Sequence, residues 1–128
     1  MRVLLDTHAF IWWALDHPTL SKRARAVLSS LENEVFVSAA SAWEVATKVR
    51  RGKWADAAEV AAEFPRAVEE FGFRKLPVTV EHGQRAGMLP GDHKDPFDRM
   101  LIAQAQAENL AIVSNERIFD NWHVSRIW

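Results

Sequence analysis

The sequence of 128 residues contains no cysteine. This absence excludes disulfide bonds, thiolate zinc sites and cysteine nucleophiles, and it fits a reducing, cytoplasmic location. The sequence also has no charged leader and no apolar run long enough to cross a bilayer, so we expect no signal peptide and no membrane span. The net charge of −1 gives no general excess of bases to indicate a nucleic-acid partner.

The composition is that of an ordinary globular protein, with 48% apolar and 26% charged residues. A chain of this length most simply forms one domain, which we expect to span 1–128. Six tryptophans are many for this length. Their large apolar area favours burial, so we expect four of them to pack in the core or at a subunit contact: Trp12, Trp13, Trp43 and Trp54.

Short apolar segments alternate with amphipathic segments along the chain. This alternation predicts an α/β fold with a parallel sheet covered by helices on both faces. The predicted strands are 2–5, 35–37, 75–79, 110–114 and 124–127. The predicted helices are 9–15, 21–31, 38–51, 56–71 with a kink or break at Pro65, 80–88 and 96–108.

The segment KDPFDRMLIAQAQ (94–106) places two aspartates at the start of a predicted helix. Asp95 suits the N-cap and Pro96 the first helical position. Asp98 is explained less simply, because it shares a helical stripe with Leu101 and Ile102, which are expected to face the core. We therefore expect Asp98 to meet a partner from elsewhere in the chain.

Three further acids follow predicted strands. Asp6 closes the first strand, Glu44 lies in the helix after the second, and Glu116 comes two residues after the segment 110–114. In open α/β sheets, ligands bind outside the carboxyl ends of the strands, so these acids and Asp98 are candidates for the same edge. Glu116 would alternatively be a solvated acid in a turn.

Two of these acids also have structural alternatives. Asp6 is placed to cap the helix that follows it. Glu44 completes the pattern Ser41-Ala-Trp-Glu44, which matches a capping box, although Ser38 competes with Ser41 as the cap. Glu44 is also one helical turn before Lys48, with which it would form an ion pair.

Convergence of the four acids would have a physical consequence. Two carboxylates about 5 Å apart repel each other by about 3 kcal/mol at an effective dielectric constant near 20. A domain of ordinary stability would hold such a cluster only if some acids were protonated or a cation lay among them. Oxygen ligands favour a hard ion such as Mg²⁺ or Mn²⁺, which serves phosphodiester hydrolysis. The pattern therefore indicates a metal-dependent nuclease or phosphatase.

Several other polar residues are candidates for supporting roles. Arg99 is the strongest candidate for contacting phosphate, because it is adjacent to Asp98. Ser114 is placed either to hydrogen-bond a ligand carboxylate or to cap its turn. His8 and His93 lie near the acids in sequence, although histidines without a role are the more common case. The remaining cations near the acids are Lys48, Arg50, Arg51, Lys53 and Lys94.

Four segments together resemble those of PIN-domain ribonucleases, and more narrowly of the toxins of VapBC-type toxin–antitoxin pairs. They are LLDTHAFIWW, SAASAWEVATKVRRGK, LPGDHKDPFDRMLIAQAQ and IVSNERIF, in the family's order and spacing. The resemblance implies a PIN-like α/β/α sandwich with endoribonuclease activity dependent on Mg²⁺ or Mn²⁺. It also implies an antitoxin partner, an RNA substrate and a homodimer. By position, Asp6, Glu44 and Asp98 match the acids that hold the metal.

The chain departs from the family pattern at the fourth acidic position. The family usually has an aspartate after a Thr-X pair, whereas this chain has Ser114-Asn115-Glu116. Glu116 keeps the charge on a side chain one methylene longer, so it would bind metal directly or through water. Asn115 would alternatively supply a neutral oxygen ligand.

Two other interpretations compete with a ribonuclease. A receiver-like phosphoacceptor domain would need paired acids after its first strand and a lysine after its last, and here one acid follows RVLL and no lysine follows LAIVS. A non-catalytic RNA- or protein-binding module on the same fold would be favoured if the acids were scattered or replaced.

Overall fold

The computed structural model describes residues 1–128 and contains one sheet of five strands. They are β1 (Arg2–Leu5), β2 (Glu34–Ser38), β3 (Arg74–Leu76), β4 (Ala111–Val113) and β5 (Arg126–Ile127). Every pairing is parallel, and the strand order is β3-β2-β1-β4-β5. The predicted parallel sheet is therefore confirmed, with β1 at its centre.

Helices cover both faces of this sheet. They are α1 (Thr7–Ala14), α2 (Lys22–Ser29), α3 (Ala39–Arg50), α4 (Ala58–Ala62), α5 (Phe64–Glu70), α6 (Val80–Met88) and α7 (Pro96–Glu108), with 3₁₀ turns at Ala55–Ala57 and Arg117–Trp122. None of them has the length and apolar character needed to cross a bilayer.

Two hydrophobic clusters lie on opposite faces of the sheet. Val3 and Leu5 of β1 belong to the cluster formed with α1 to α5, whereas Leu4 belongs to the cluster formed with α7. Side chains alternate between the faces of a strand, so an unbroken apolar run such as RVLL requires cover on both sides. The predicted α/β/α sandwich is thereby confirmed.

Prolines account for two differences from the predicted elements. The predicted helix 56–71 is split into a 3₁₀ turn, α4 and α5, with a break at Glu63 (φ −127°). Pro65 lies in the first turn of α5, because its ring and missing N–H are tolerated only at a helix start. β3 ends at Leu76 rather than at residue 79, since Pro77 cannot donate to the ladder. The 3₁₀ turn Arg117–Trp122 was not predicted.

Three of the four tryptophans expected in the core or at a subunit contact pack against the core. Trp12, Trp13 and Trp54 pack against the cluster on the α1 face. Trp43 does not enter the core, because its side chain is 65% exposed and its ring meets Phe97 edge-on at 5.0 Å. The contact joins α3 to α7, and only Trp43 of the two rings is exposed.

Candidate acidic active site

The four predicted acids meet in one pocket of about 80 Å³ beyond the carboxyl ends of the central strands. No apolar residue lines this pocket. Its walls are formed by Asp6, Thr7, His8, Glu44, Lys48, Asp95, Asp98 and Glu116. Five carboxylates therefore face one ammonium group, and the pocket carries an excess of negative charge.

Asp6 both caps α1 and lines the pocket. One carboxylate oxygen accepts a hydrogen bond from the backbone N–H of Ala9 at 2.9 Å, and the other accepts from the hydroxyl of Ser114. Ser114 also accepts from the N–H of Glu116 at 3.0 Å, so it joins Asp6 to the turn after β4. Burial raises the pKa of the Asp6 carboxyl, and the bonds from Ser114 and Ala9 oppose that rise.

Glu44 is brought to the pocket without forming the capping box. Ser38 caps α3 by accepting from Ala40, whereas the hydroxyl of Ser41 bonds that of Thr7 at 2.9 Å. Glu44 is buried, with 4% of the residue exposed. Its carboxylate accepts a hydrogen bond from the ammonium of Lys48 at 2.5 Å. The predicted alternative of an ion pair with Lys48 is thus present, and it lies inside the pocket.

The two aspartates at the start of α7 have different surroundings. Asp95 accepts from the backbone N–H groups of Phe97 and Asp98 at 2.9 and 3.0 Å, as expected for an N-cap. The side chain of Asp98 instead accepts from Nε2 of His93 at 2.8 Å. Burial raises the pKa of Asp98 to about 6, the bond from His93 opposes this rise, and the charges of Asp95 and Glu116 add to it.

Arg99 is not in the pocket, which corrects the expectation that it contacts phosphate. Its guanidinium donates to three backbone carbonyls, those of Ala86 at 3.1 Å, Leu89 at 2.6 Å and His93 at 3.1 Å. The planar fork of arginine suits this arrangement, because each nitrogen has its own acceptor. Arg99 therefore fixes the loop between α6 and α7, and with it the position of His93 beside Asp98.

Two histidines that were weak candidates in the sequence lie at this site. His93 bonds Asp98, and His8 lines the pocket with its ring between Trp12 and Trp54, at centroid distances of 5.6 and 4.7 Å. The one signal available in the sequence was proximity, since His8 is two residues after Asp6. Proximity alone does not distinguish a ring in a pocket from a solvated one.

The remaining candidates lie around the pocket or away from it. Glu116 lines the pocket and is half-buried, whereas Asn115 is exposed and does not reach it. Lys94 is exposed next to His93 and has no carboxylate within 4.0 Å. Three exposed cations without an acidic partner surround the end of α3 near Lys48: Arg50, Arg51 and Lys53.

The chemistry of the pocket fits a hard divalent cation, although its side chains do not form a ready ligand set. No three acidic or histidine side chains stand in a geometry suited to a metal ion. Binding of an ion would therefore require rotation of these side chains, and the ion would offset the repulsion between the carboxylates. The pocket offers carboxylate oxygens, which are the ligands that a hard cation prefers. Burial disfavours the charged form of Asp6 and Asp98. A cation would reverse that effect.

Comparison with solved structures shows the same fold in toxin–antitoxin proteins. VapBC2 from Rickettsia felis, bound to a promoter DNA fragment, has 18% identity and a TM-score of 0.71 over 98% of this chain and 97% of that chain. FitAcB from Neisseria gonorrhoeae has 21% identity and a TM-score of 0.68 over 98% of this chain and 96% of that chain. The Sarcin-Ricin loop cleaving toxin VapC20 from Mycobacterium tuberculosis has 16% identity and 0.69 over 95% of each chain.

Sequence comparison identifies the family. No curated protein matches the sequence significantly. The sequence model of the PIN domain, in contrast, matches residues 3–122, which is nearly the whole chain. This match covers all five acids of the pocket, and the chain therefore belongs to the PIN domain family.

Proposed function

We propose that this protein is an endoribonuclease that depends on Mg²⁺ or Mn²⁺. The observation that carries the proposal is the convergence of Asp6, Glu44, Asp98 and Glu116 in one pocket that contains a single ammonium group. A structural role explains such a cluster poorly, because burying several like charges costs stability. Membership of the PIN domain family supports the same conclusion.

Asp6, Glu44 and Asp98 would hold the ion, with Glu116 as a fourth ligand, directly or through water. When bound, such an ion lowers the pKa of a water molecule and offsets charge that develops on the phosphate. The chain's own groups keep these carboxylates in place. Ser114 holds one oxygen of Asp6, and His93 holds one oxygen of Asp98, which leaves the other oxygen of Asp98 for a ligand.

Cations around the pocket would hold the RNA backbone. Arg50, Arg51 and Lys53 are exposed and have no acidic partner, and they follow Lys48, which reaches the pocket wall. Unpaired cations on this rim would bind phosphates on one side of the scissile bond, in a manner that weakens as salt rises. Although the net charge is −1, the charges are segregated between pocket and rim.

Cleavage of single-stranded RNA in Mn²⁺ or Mg²⁺ tests this proposal. We expect the wild-type protein to cut, a chelator to stop cleavage, and Asp6→Asn to remove it while Asn115→Ala, on an exposed side chain outside the pocket, cuts normally. Wild-type protein that cuts no RNA in either ion, and binds RNA as well as Asp6→Asn does, would instead favour a non-catalytic binding module.

We further infer that the protein is the toxin of a type II toxin–antitoxin pair and acts in the cytoplasm. The likeness to VapBC2, FitAcB and VapC20 supports this inference, together with the absence of cysteine. Expression of the chain alone should arrest growth, and Asp6→Asn should relieve the arrest. Co-expression with the reading frame beside its gene should also relieve it, and growth unaffected by the wild-type chain would contradict the inference.

We also infer that the protein forms a homodimer through its exposed apolar face. Trp43 (65% exposed) lines an apolar pocket of about 440 Å³ between α3, α6 and α7. Val78, which lines the same pocket, is 40% exposed. Light scattering should show a dimer that Trp43→Asp separates, whereas Leu31→Asp, at a fully exposed apolar residue elsewhere, should leave it intact. A wild-type monomer would refute this inference.

A further inference from the structure

A second, larger cleft lies near the acidic pocket. It has a volume of about 810 Å³ and lies between α6, the loop 89–93 and the 3₁₀ turn Arg117–Trp122. His93 connects the two spaces, because it lines this cleft and its ring bonds Asp98, which lines the acidic pocket. The part of the cleft beside His93 therefore lies next to the proposed reacting centre.

The floor of the cleft is rigidly built. Trp122 is 8% exposed, and its indole N–H donates to the carbonyl of Pro90 at 3.1 Å. The backbone carbonyl of Trp122 accepts from the side chain of Gln106 at 2.9 Å, which ties the 3₁₀ turn to α7. The loop on the opposite wall is held by Arg99 through the carbonyls of Leu89 and His93. The cleft is thus formed by anchored walls.

The rim of the cleft presents hydrogen-bond donors that the protein does not use fully. Asn121 and His123 are exposed and make no side-chain hydrogen bond. Arg85 is exposed, has no carboxylate within 4.0 Å and bonds only Gln106, at 3.3 Å. His123 ends the 3₁₀ turn in a left-handed conformation (φ 57°), which histidine adopts more readily than most residues.

The combination of apolar floor and donor-rich rim suits a nucleotide. Bases have flat apolar faces and polar edges, and RNA-binding sites for single strands contact both. A volume of about 810 Å³ lies within the range of small-ligand sites, about 300–1,000 Å³, and admits one or two nucleotides. Asp92 is the one acid among the lining residues, which leaves Arg85 free to meet a phosphate.

We propose that this cleft binds the one or two nucleotides of single-stranded RNA next to the scissile phosphate. Arg85 contacts a phosphate, and Asn121 and His123 contact the edge of a base. The proposal rests on the proposed ribonuclease function and adds to it the site that selects the sequence at the cut. The opposite side of the scissile bond would lie along the cations that follow Lys48.

Steady-state cleavage of defined single-stranded RNA oligonucleotides tests the proposal. We expect Arg85→Ala to raise KM about tenfold and to reduce the slope of log KM against log salt by about one. Arg23→Ala removes the same exposed charge from α2, on the opposite face of the sheet, and should change neither. Mn²⁺ affinity, measured by calorimetry, should be equal in all these proteins.

The base-reading residues are tested by mapping cleavage sites. Asn121→Ala and His123→Gly should change the preference for one nucleotide beside the cut about tenfold. Glycine accepts the backbone of residue 123, so this variant should fold normally, which thermal unfolding checks. Crosslinking of thiouridine-containing RNA to Asp6→Asn protein, which does not require cleavage, should modify the peptide containing residues 117–123.

The outcomes separate this proposal from the one on which it depends. Wild-type protein that cuts no RNA would refute the ribonuclease function, and absence of crosslinks at 117–123 would refute the cleft. Wild-type protein that cuts RNA, with unchanged KM and site preference in all three cleft variants, would overturn the cleft proposal alone. Variants that cut normally but resist inhibition by a protein partner would assign the cleft to that partner and would also overturn it.

Discussion

Helix α7 contributes to two polar clusters that differ in charge balance: one has an excess of negative charge, and the other is a network of paired hydrogen-bonding groups. At its first turn, Asp98 faces the carboxylates of the acidic pocket. At its middle, Gln104 is fully buried, and its amide accepts from Ser38 at 2.6 Å and donates to the carbonyl of Pro77 at 3.2 Å. Both clusters bury polar side chains on one helix. Only the first of them gathers groups of the same charge.

The second cluster is closed by His82. Its Nδ1 accepts from the backbone N–H of Thr79 at 3.0 Å, so its Nε2–H donates to Glu108 at 3.0 Å. A buried polar network with every partner present stabilises a fold and specifies its packing. The acidic pocket lacks such balance, and the raised pKa of Asp6 and of Asp98 shows the cost. Unbalanced burial of this kind indicates a site for a ligand.

The largest expected effect comes from removing a charge from the unbalanced cluster. Asp98→Asn should lower RNA cleavage about a thousandfold, because a metal ligand contributes several kcal/mol to catalysis. The metal-free variant should be at least as stable as the wild type near neutral pH, since the fold already disfavours the charged form of Asp98. Single-turnover cleavage and thermal unfolding measure the two quantities. A variant that unfolds more easily would show that the Asp98 carboxylate is structural.

The balanced cluster should respond in the opposite way. Gln104→Ala should lower the free energy of unfolding by about 2–3 kcal/mol, because it leaves the buried hydroxyl proton of Ser38 without an acceptor, removes the bond to the carbonyl of Pro77 and opens a cavity in α7. Cleavage by the folded protein should be unchanged. Chemical denaturation measures the loss, and Gln84→Ala, at an exposed glutamine on α6, serves as the control. Lost activity with normal stability would contradict the contrast between the clusters.

The sequence was sufficient to predict the sheet and the meeting of the acids. Unbroken apolar runs such as RVLL predict strands covered on both faces, and parallel strands bring their carboxyl ends to one edge. That geometry made Asp6, Glu44, Asp98 and Glu116 candidates for one edge of the sheet, and the structure brings all four to one pocket. Local rules were enough because each acid is placed by the strand or helix on which it lies.

The sequence was not sufficient where a side chain depends on distant partners. Arg99 was expected near phosphate because it is next to Asp98, yet its three acceptors lie 6 to 13 residues before it and draw it away from the pocket. Gln104 and His82 join segments that are 22 residues apart. Their hydrogen bonds arise from the packing of α6 against α7, which no local pattern in the sequence reveals.

The stability of the metal-free protein should depend on pH, and this effect should be smaller than those of the two substitutions above. The folded chain holds the proton of Asp98 with a pKa of about 6 against 3.8, so protonation stabilises the fold. The contribution of this group to the unfolding free energy should therefore fall as pH rises from about 4 to about 6, and then stay constant. The raised pKa of Asp6 acts in the same direction.

Thermal unfolding of wild type and Asp98→Asn isolates this contribution, because other titrating groups cancel in the difference between the two proteins. The variant should gain stability relative to the wild type as pH rises. Mn²⁺ should raise the unfolding temperature of the wild type more at about pH 7.5 than at about pH 5, since protons compete with the ion. A constant difference between the proteins across this range would contradict the electrostatic account.

Substitutions of Asp95 should have the smallest effect. This residue combines features of the two clusters. Its carboxylate lines the acidic pocket, yet it accepts two backbone N–H bonds as the N-cap of α7. Asp95→Ala should cost about 1 kcal/mol of stability, whereas Asp95→Asn keeps a capping oxygen and should cost only a few tenths. Denaturant titration of the two variants measures these values.

The activity of Asp95→Asn decides whether Asp95 acts mainly as a helix cap or mainly as a carboxylate of the active site. If Asp95 is mainly a cap, this variant should cut RNA at a rate within a few-fold of the wild type, because the carboxylates of Asp6 and Asp98 remain in place. Removing its charge should also lower the pKa of Asp98, since Asp95 is one cause of the rise. If instead Asp95→Asn abolished cleavage and Asp98→Asn did not, the roles of these two acids would be reversed.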